Sequence, residues 1–240
     1  MKSNLLLLIK GEFSRLARYN IIQVGFGVSV LWLLVLFLIG RDNAAEFVPI
    51  FIFMDATMMT VLLIGAGLFY ERQENTLKTL MVTPSKIGEI IFSKLLSAVY
   101  IAFQSALFIG IFAYFFFDAT ITFIIYIPII LLVAFAHAMI GYVFAVLFKD
   151  FTAMLGGLML YMVLFAFPSL FYALGLLEGI FETLLLISPT HASMLLIQFG
   201  FGESITSRHL WVSVFYLLLL SVVLAKYVVF PKYMEKGIRE

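Results

Sequence analysis

Cysteine is absent from all 240 residues, tryptophan occurs only twice, and charged side chains make up only 12% of the chain. The first absence excludes disulfides and thiolate metal sites. The last is more telling, because soluble domains carry about 25% charged residues. The 15 basic residues are dispersed and the formal net charge is +1, so nothing points to nucleic acid. None of the nine lysines follows a glycine. A G-x-x-x-x-G-K-[ST] phosphate loop therefore cannot form, and this chain is expected to bind no nucleotide and no other cofactor. His137, His191 and His209 fit no H-E-x-x-H pattern and no serine sits in G-x-S-x-G. The chain is therefore read as lacking catalytic residues and metal ligands of its own.

What the sequence does have is apolar length. Hydrophobic residues make up 64%, including 27 phenylalanines and 11 methionines. Charge-free stretches run over 19–40, 47–70 (broken only by Asp55), 95–117, 119–148, 151–177 and 210–225. A hydrocarbon core about 30 Å thick needs about 20 apolar residues in a helix. The first five stretches suffice as they stand. In the sixth, Lys226 can snorkel to the headgroups, so the helix extends to Phe230 before Pro231. The fold class is all-α, a polytopic membrane protein with six spans at about 19–40, 47–70, 95–117, 119–148, 151–177 and 210–230 in one domain over 1–240. The longest pieces outside the spans, 71–94 and 178–209, are too short for a soluble catalytic domain of at least about 50 residues.

Residues 179–202 are apolar enough to suggest a seventh span, but Ser188 and Pro189 break them into halves too short to cross. Charge asymmetry supports the lower count. With six spans and an inward N-terminus, 13 Lys and Arg lie inside and only Arg41 and Arg208 outside, the bias that the positive-inside rule demands. Both termini are thus expected in the cytoplasm, and 179–202 as a re-entrant helical hairpin dipping in from outside. Before the first span, residues 1–18 form an amphipathic basic helix with Leu5, Ile9, Phe13 and Leu16 on one face and Lys10, Gly11, Ser14 and Arg18 on the other. Leu7 and Glu12 are out of place in that pattern. The helix is expected to lie on the inner leaflet, held by membrane lipids. The apolar run Leu5 to Ile9 is too short, and too soon followed by charge, for a cleavable leader.

The segment after the second span is the most informative. It contains Glu71, Arg72, Glu74 and Thr76, then Leu77, Leu80 and Met81 at i, i+3, i+4 spacing, and ends in Thr83-Pro84. The leucine spacing predicts a short helix with an apolar ridge. Thr83 reads as the N-cap and Pro84 as the first residue of a helix running through Ile87 and Lys94 into the third span. In this segment the chain resembles the membrane subunits of ABC type-2 exporters. These carry a motif close to E-R-E-x-G-T-L-x-x-L-x-x-T-P after the second span, represented here by Glu71, Arg72, Glu74, Thr76, Leu77, Leu80, Thr83 and Pro84. Asn75 stands where the family often has glycine. The likeness extends to the interfacial helix, the six spans and the hairpin.

The resemblance implies that 71–84 is a coupling loop seated in a cleft of a separate ATP-binding-cassette ATPase subunit, on which ATP and Mg are expected. It also implies a second permease subunit, as homo- or heterodimer, and residence in a prokaryotic cytoplasmic membrane. The cargo implied is an amphiphilic small molecule, as in the drug-exporting (fluoroquinolone-like) subset; lipid-linked glycans and antimicrobial peptides are other cargoes of the family.

Candidates for a substrate path follow from polarity and spacing. Asp55 is the only acid inside a span, with Thr57 and Thr60 nearby, and such a group costs about 2.5 to 3.5 kcal/mol to insert. It faces either a cavity or interface, or water near the outer surface. Gly157, Tyr161, Phe165, Pro168 and Tyr172 share one face of the fifth span, where Pro168 predicts a kink. That face either lines a path or packs against neighbours. His137 is either a packed histidine bonded to a carbonyl or, together with Asp55, part of a proton-coupled secondary transporter.

Overall fold

A computed structural model describes residues 4–74, 76, 85–177 and 179–232. Nine helices account for most of them, and no strand occurs among the described residues. Helix α1 is Leu5–Arg18. Six long apolar helices follow the expected spans: α2 (Ile21–Ile39), α3 (Asn43–Gln73), α4 (Ile87–Phe116), α5 (Phe123–Leu147), α6 (Phe151–Ala173) and α9 (Ser207–Lys232). Between α6 and α9 lie two short helices, α7 (Ile180–Leu185) and α8 (Pro189–Gly200).

The helix through Ile87 differs from expectation at its start. Ser85 and Lys86 are not helical, and α4 begins at Ile87 with Lys86 as its N-cap. Thr83 and Pro84, the expected start, lie outside the described residues.

Packing follows side-chain size. In α2 the buried positions Gly25, Ser29, Leu33 and Leu36 form one stripe, while Leu31, Leu34 and Leu38 on other faces are exposed. Small residues let helices approach closely without a hydrophobic drive from lipid. The tightest case is Gly141 of α5, where a Cβ would lie 3.1 Å from Val61 Cα and 3.3 Å from Val61 O of α3. These two central helices meet backbone to backbone. Tyr126 of α5 is almost fully buried and donates a 2.7 Å hydrogen bond to Ala106 O of α4, which joins a third helix to the pair.

Three of the long helices contain a π turn: Asp55–Met59 in α3, Met162–Ala166 in α6 and Ala225–Val229 in α9. One of them lies just before Pro168, where the sequence predicts a kink. Proline offers no N–H to the preceding turn, and the π turn just before it absorbs the mismatch.

Ser188 and Pro189, which break the apolar run in sequence, start α8: the backbone N–H of His191 donates to Ser188 Oγ at 3.3 Å, and Pro189 occupies the first turn. The hairpin is asymmetric. In α8, Pro189 through Ile197 are all buried, whereas Phe181, Leu184 and Ile187 on the α7 side are exposed. α8 is fixed to α6 through one carbonyl. Phe165 O accepts from Ser169 Oγ at 2.6 Å, from Thr190 Oγ1 at 2.6 Å and from Ser188 Oγ at 3.5 Å.

Candidate functional site

Where α1, α3 and α4 converge, four charged side chains meet. Lys94 of α4 donates to Glu12 Oε1 at 2.9 Å and is hydrogen-bonded to Glu71 Oε1 of α3. Arg15 is bonded to Glu12 and lies 3.4 Å from Glu71 Oε1. Two carboxylates and two cations give a formally neutral cluster. Glu12 is 3%, Glu71 4% and Lys94 4% exposed, so water does little to screen them. A buried pair is stable only when its geometry repays desolvation, and here each carboxylate faces both cations. Burial is still the largest influence on Glu12. It raises the carboxyl pKa above 4.5 despite the opposing pull of Lys94 and Arg15, with Glu71 adding to the rise.

Below the cluster is a cavity of about 40 Å3 whose polar lining comes from Glu12, Thr60, Glu71, Lys94, Ser97 and Tyr142. Glu71 Oε2 and Arg15 Nη1 are buried here without a hydrogen-bond partner among the described residues.

Arg72 turns away from its neighbour. Its Nη2 donates to Ala145 O at 2.5 Å and its Nη1 to Phe148 O at 3.4 Å, so it caps the C-terminal carbonyls of α5 while its guanidinium lies 4.8 Å from the Phe69 ring centroid. Glu74 accepts a 2.5 Å hydrogen bond from Tyr19, at the junction of α1 and α2. Burial and this carboxylate push the Tyr19 phenol up to about 12. Glu71, Arg72 and Glu74 thus bind α1, α4, α5 and the α1–α2 junction of their own chain. Thr76 is half-buried. Leu77, Leu80, Thr83 and Pro84 lie outside the described residues.

Sequence reasoning missed Glu12, Arg15, Lys94 and Tyr19 as members of this site. A signal for one of them was present: Glu12 is the acid that breaks the apolar face of α1, and it does so because that face carries the cluster.

The other candidates fall into separate places. Asp55, 3% exposed, opens the π turn of α3 and accepts from Ser105 Oγ of α4. Ser105 in turn meets Ser29 Oγ of α2, and Ser29 bonds Gly25 O at 3.1 Å. Asp55 thus joins α2, α3 and α4 inside the bundle, away from the surface. Thr57 bonds Phe53 O at 2.6 Å in its own helix, and Thr60 lines the cavity under the ion cluster.

His137 is fully buried, with Nδ1 3.1 Å from Val133 O and Nε2 3.4 Å from Tyr161 Oη. It shares no hydrogen-bond partner with Asp55 among the described residues. The Tyr161 and Phe165 rings lie 5.3 Å apart, tilted at 45°, Gly157 sits against the Phe148 ring, and Tyr172 meets the His191 ring at 5.0 Å. Pro168 is half-buried beside them. The contacts of Tyr161 with His137, Gly157 with Phe148 and Tyr172 with His191 point toward α5, the α5–α6 junction and α8, whereas Leu160, Val163, Leu164, Phe167 and Phe171 of α6 are exposed.

Six apolar helices long enough to cross a bilayer define a multi-pass helical membrane protein. A family model described as ABC-2 type transporter matches residues 3–201, from α1 through α8, and the chain belongs to that family. The family is the non-catalytic membrane part of ATP-binding-cassette transporters, which associates with an ATP-binding subunit. No curated protein matches the chain.

Proposed function

We propose that this chain is the permease subunit of an ATP-driven exporter in a prokaryotic cytoplasmic membrane. It pairs with a second permease subunit and two ATPase subunits, and moves an amphiphilic small molecule outward by alternating access. The observation that carries this reading is the attachment of four helices at the start of the segment 71–84. Glu71 ties α3 to α1 and α4, and Arg72 ties it to α5. A displacement of 71–84 by an ATPase is thereby passed to several spans together, which suits a rigid-body change of access. ATP and Mg sit on the partner, in keeping with the missing phosphate loop. The cargo class is read as drug-like from the resemblance of the segment 71–84.

The test is to purify the chain with its ATPase, reconstitute both, and follow transport and ATP hydrolysis together. Cargo that stimulates hydrolysis, and its loss on Glu71→Gln, which keeps the side-chain shape beside Lys94 and Arg15, in an assembled complex, is the expected result. Leu77→Ala with Leu80→Ala should instead weaken assembly, by about 1 to 3 kcal/mol for interface anchors. Transport that follows a proton gradient and ignores ATP depletion would replace this reading with that of a proton-coupled carrier.

A further inference from the structure

Helix α9 is the least enclosed of the six long helices: only 22% of its apolar window is buried, against 61% for α3. Along one side it stands off from α4, leaving a trough floored by α5. Two adjoining cavities, of about 390 and 370 Å3, share Phe135 of α5. The trough is walled by Leu95 and Leu96 of α4 on one side and by Leu218 and Val222 of α9 on the other. At the α1 end of the bundle α4 and α9 close together, since a Cβ on Gly88 would lie 3.8 Å from Phe230 Cε1.

The lining is almost pure hydrocarbon. Ser221 is satisfied by Leu217 O at 2.7 Å, which leaves Lys226 as the single charge, and no acid lines the trough among the described residues. Lys226 lies in the π turn Ala225–Val229, with Nζ 5.3 Å from the ring centroid of Tyr227, and makes no ion pair among the described residues. From Lys226 to Leu218 the helix rises about 12 Å, at about 1.5 Å per residue. A hydrocarbon slot with one cation at its interfacial end complements an anion that carries a hydrocarbon chain.

We propose that this trough binds an anionic phospholipid from the leaflet on the α1 side, with one acyl chain between α4 and α9 over Phe135 and its phosphate at Lys226. The lipid completes the packing of α9, and the site is independent of the identity of the cargo.

The experiment uses the full chain in nanodiscs of phosphatidylcholine containing a minor share of brominated lipid, either phosphatidylglycerol or phosphatidylcholine with the same acyl chains. Val222→Trp puts a fluorescent reporter in the trough, and the unsubstituted protein gives the background from Trp32 and Trp211. Brominated phosphatidylglycerol should quench the reporter at about fivefold lower mole fraction than brominated phosphatidylcholine, as one interfacial basic residue implies. Adding Lys226→Gln should make the two lipids equal, while Lys232→Gln should not. Native mass spectrometry of the full chain should show retained phosphatidylglycerol that is lost on Ala225→Phe, which fills the slot and keeps the charge. Equal quenching by the two lipids in the Lys226 protein, a preference that survives Lys226→Gln, or no quenching by either lipid because protein covers the trough would each overturn the proposal.

Discussion

Lys94 of α4 and Glu12 of α1 lie 2.9 Å apart, both almost fully buried, and so tie the first helix of the chain to the middle of the bundle. Neither group is tolerable alone in this position. Lys94→Met should leave two facing carboxylates with Arg15 alone and destabilise the protein by about 3 to 5 kcal/mol, the usual result of breaking a buried ion pair from one side. Lys94→Arg should retain most of the stability, and the exchange Glu12→Lys with Lys94→Glu should recover part of what either change loses. Thermal unfolding of the purified chain in detergent reads all three.

The elevated pKa of Glu12 gives a pH dependence with a defined sign. Because burial raises its folded-state pKa above 4.5, its contribution to stability is fully present below about pH 4.5 and is lost as pH rises through the folded value. Glu12→Gln removes this titration. The stability of the variant relative to the unsubstituted protein should therefore rise from pH 4.5 upward and then level off. Unfolding midpoints of both proteins across pH 4 to 8 check this; a falling difference would mean that Lys94 and Arg15 outweigh burial.

Gly141 has no room for a side chain, because Val61 Cα and O of α3 lie 3.1 and 3.3 Å from where its Cβ would be. Gly141→Leu should force α3 and α5 apart, at about 1 to 3 kcal/mol or more for overpacking. Gly156→Leu is the control, since nothing lies within 4 Å of its Cβ position. Denaturant unfolding in mixed micelles should separate the two.

Asp55→Asn should fold normally, because the amide oxygen still accepts from Ser105. Asp55→Leu leaves Ser105 and Ser29 with one acceptor fewer and should cost about 1 to 3 kcal/mol. Since Asp55 is bonded inside the α2–α3–α4 contact, any loss of transport in Asp55→Leu should be equal for cationic and neutral cargo. A selective loss of cationic cargo in Asp55→Asn would place the carboxylate on the path instead.

The six spans were legible because about 20 apolar residues without charge admit few other readings. Their limits were less so, for a reason visible at α4. That helix contains Glu89 and Lys94 ahead of the charge-free stretch and begins eight residues before it, at Ile87. A sequence pattern counts Lys94 as a charge facing water, whereas the fold neutralises it with Glu12, a residue 82 positions away, and Glu71. Likewise Glu71 and Arg72 read as neighbours with a shared role, but a helix points successive side chains in different directions, and the two reach different partners. Asp55 shows the same limit: its polarity was evident, but Ser105, which donates to it, and Ser29, which bonds Ser105, lie on other helices and carry no mark in the sequence.

The carbonyl of Phe165, held by hydroxyls of Ser169, Ser188 and Thr190, makes α6 and α8 a single lever. Any tilt of α6 must carry the base of the hairpin with it, since the fastening lies at the pivot and not at the tip. The exposed arm around Phe181 and Leu184 meets α9 where Tyr216 Oη donates to Ile187 O, so a tilt of α6 would turn the arm about that bond.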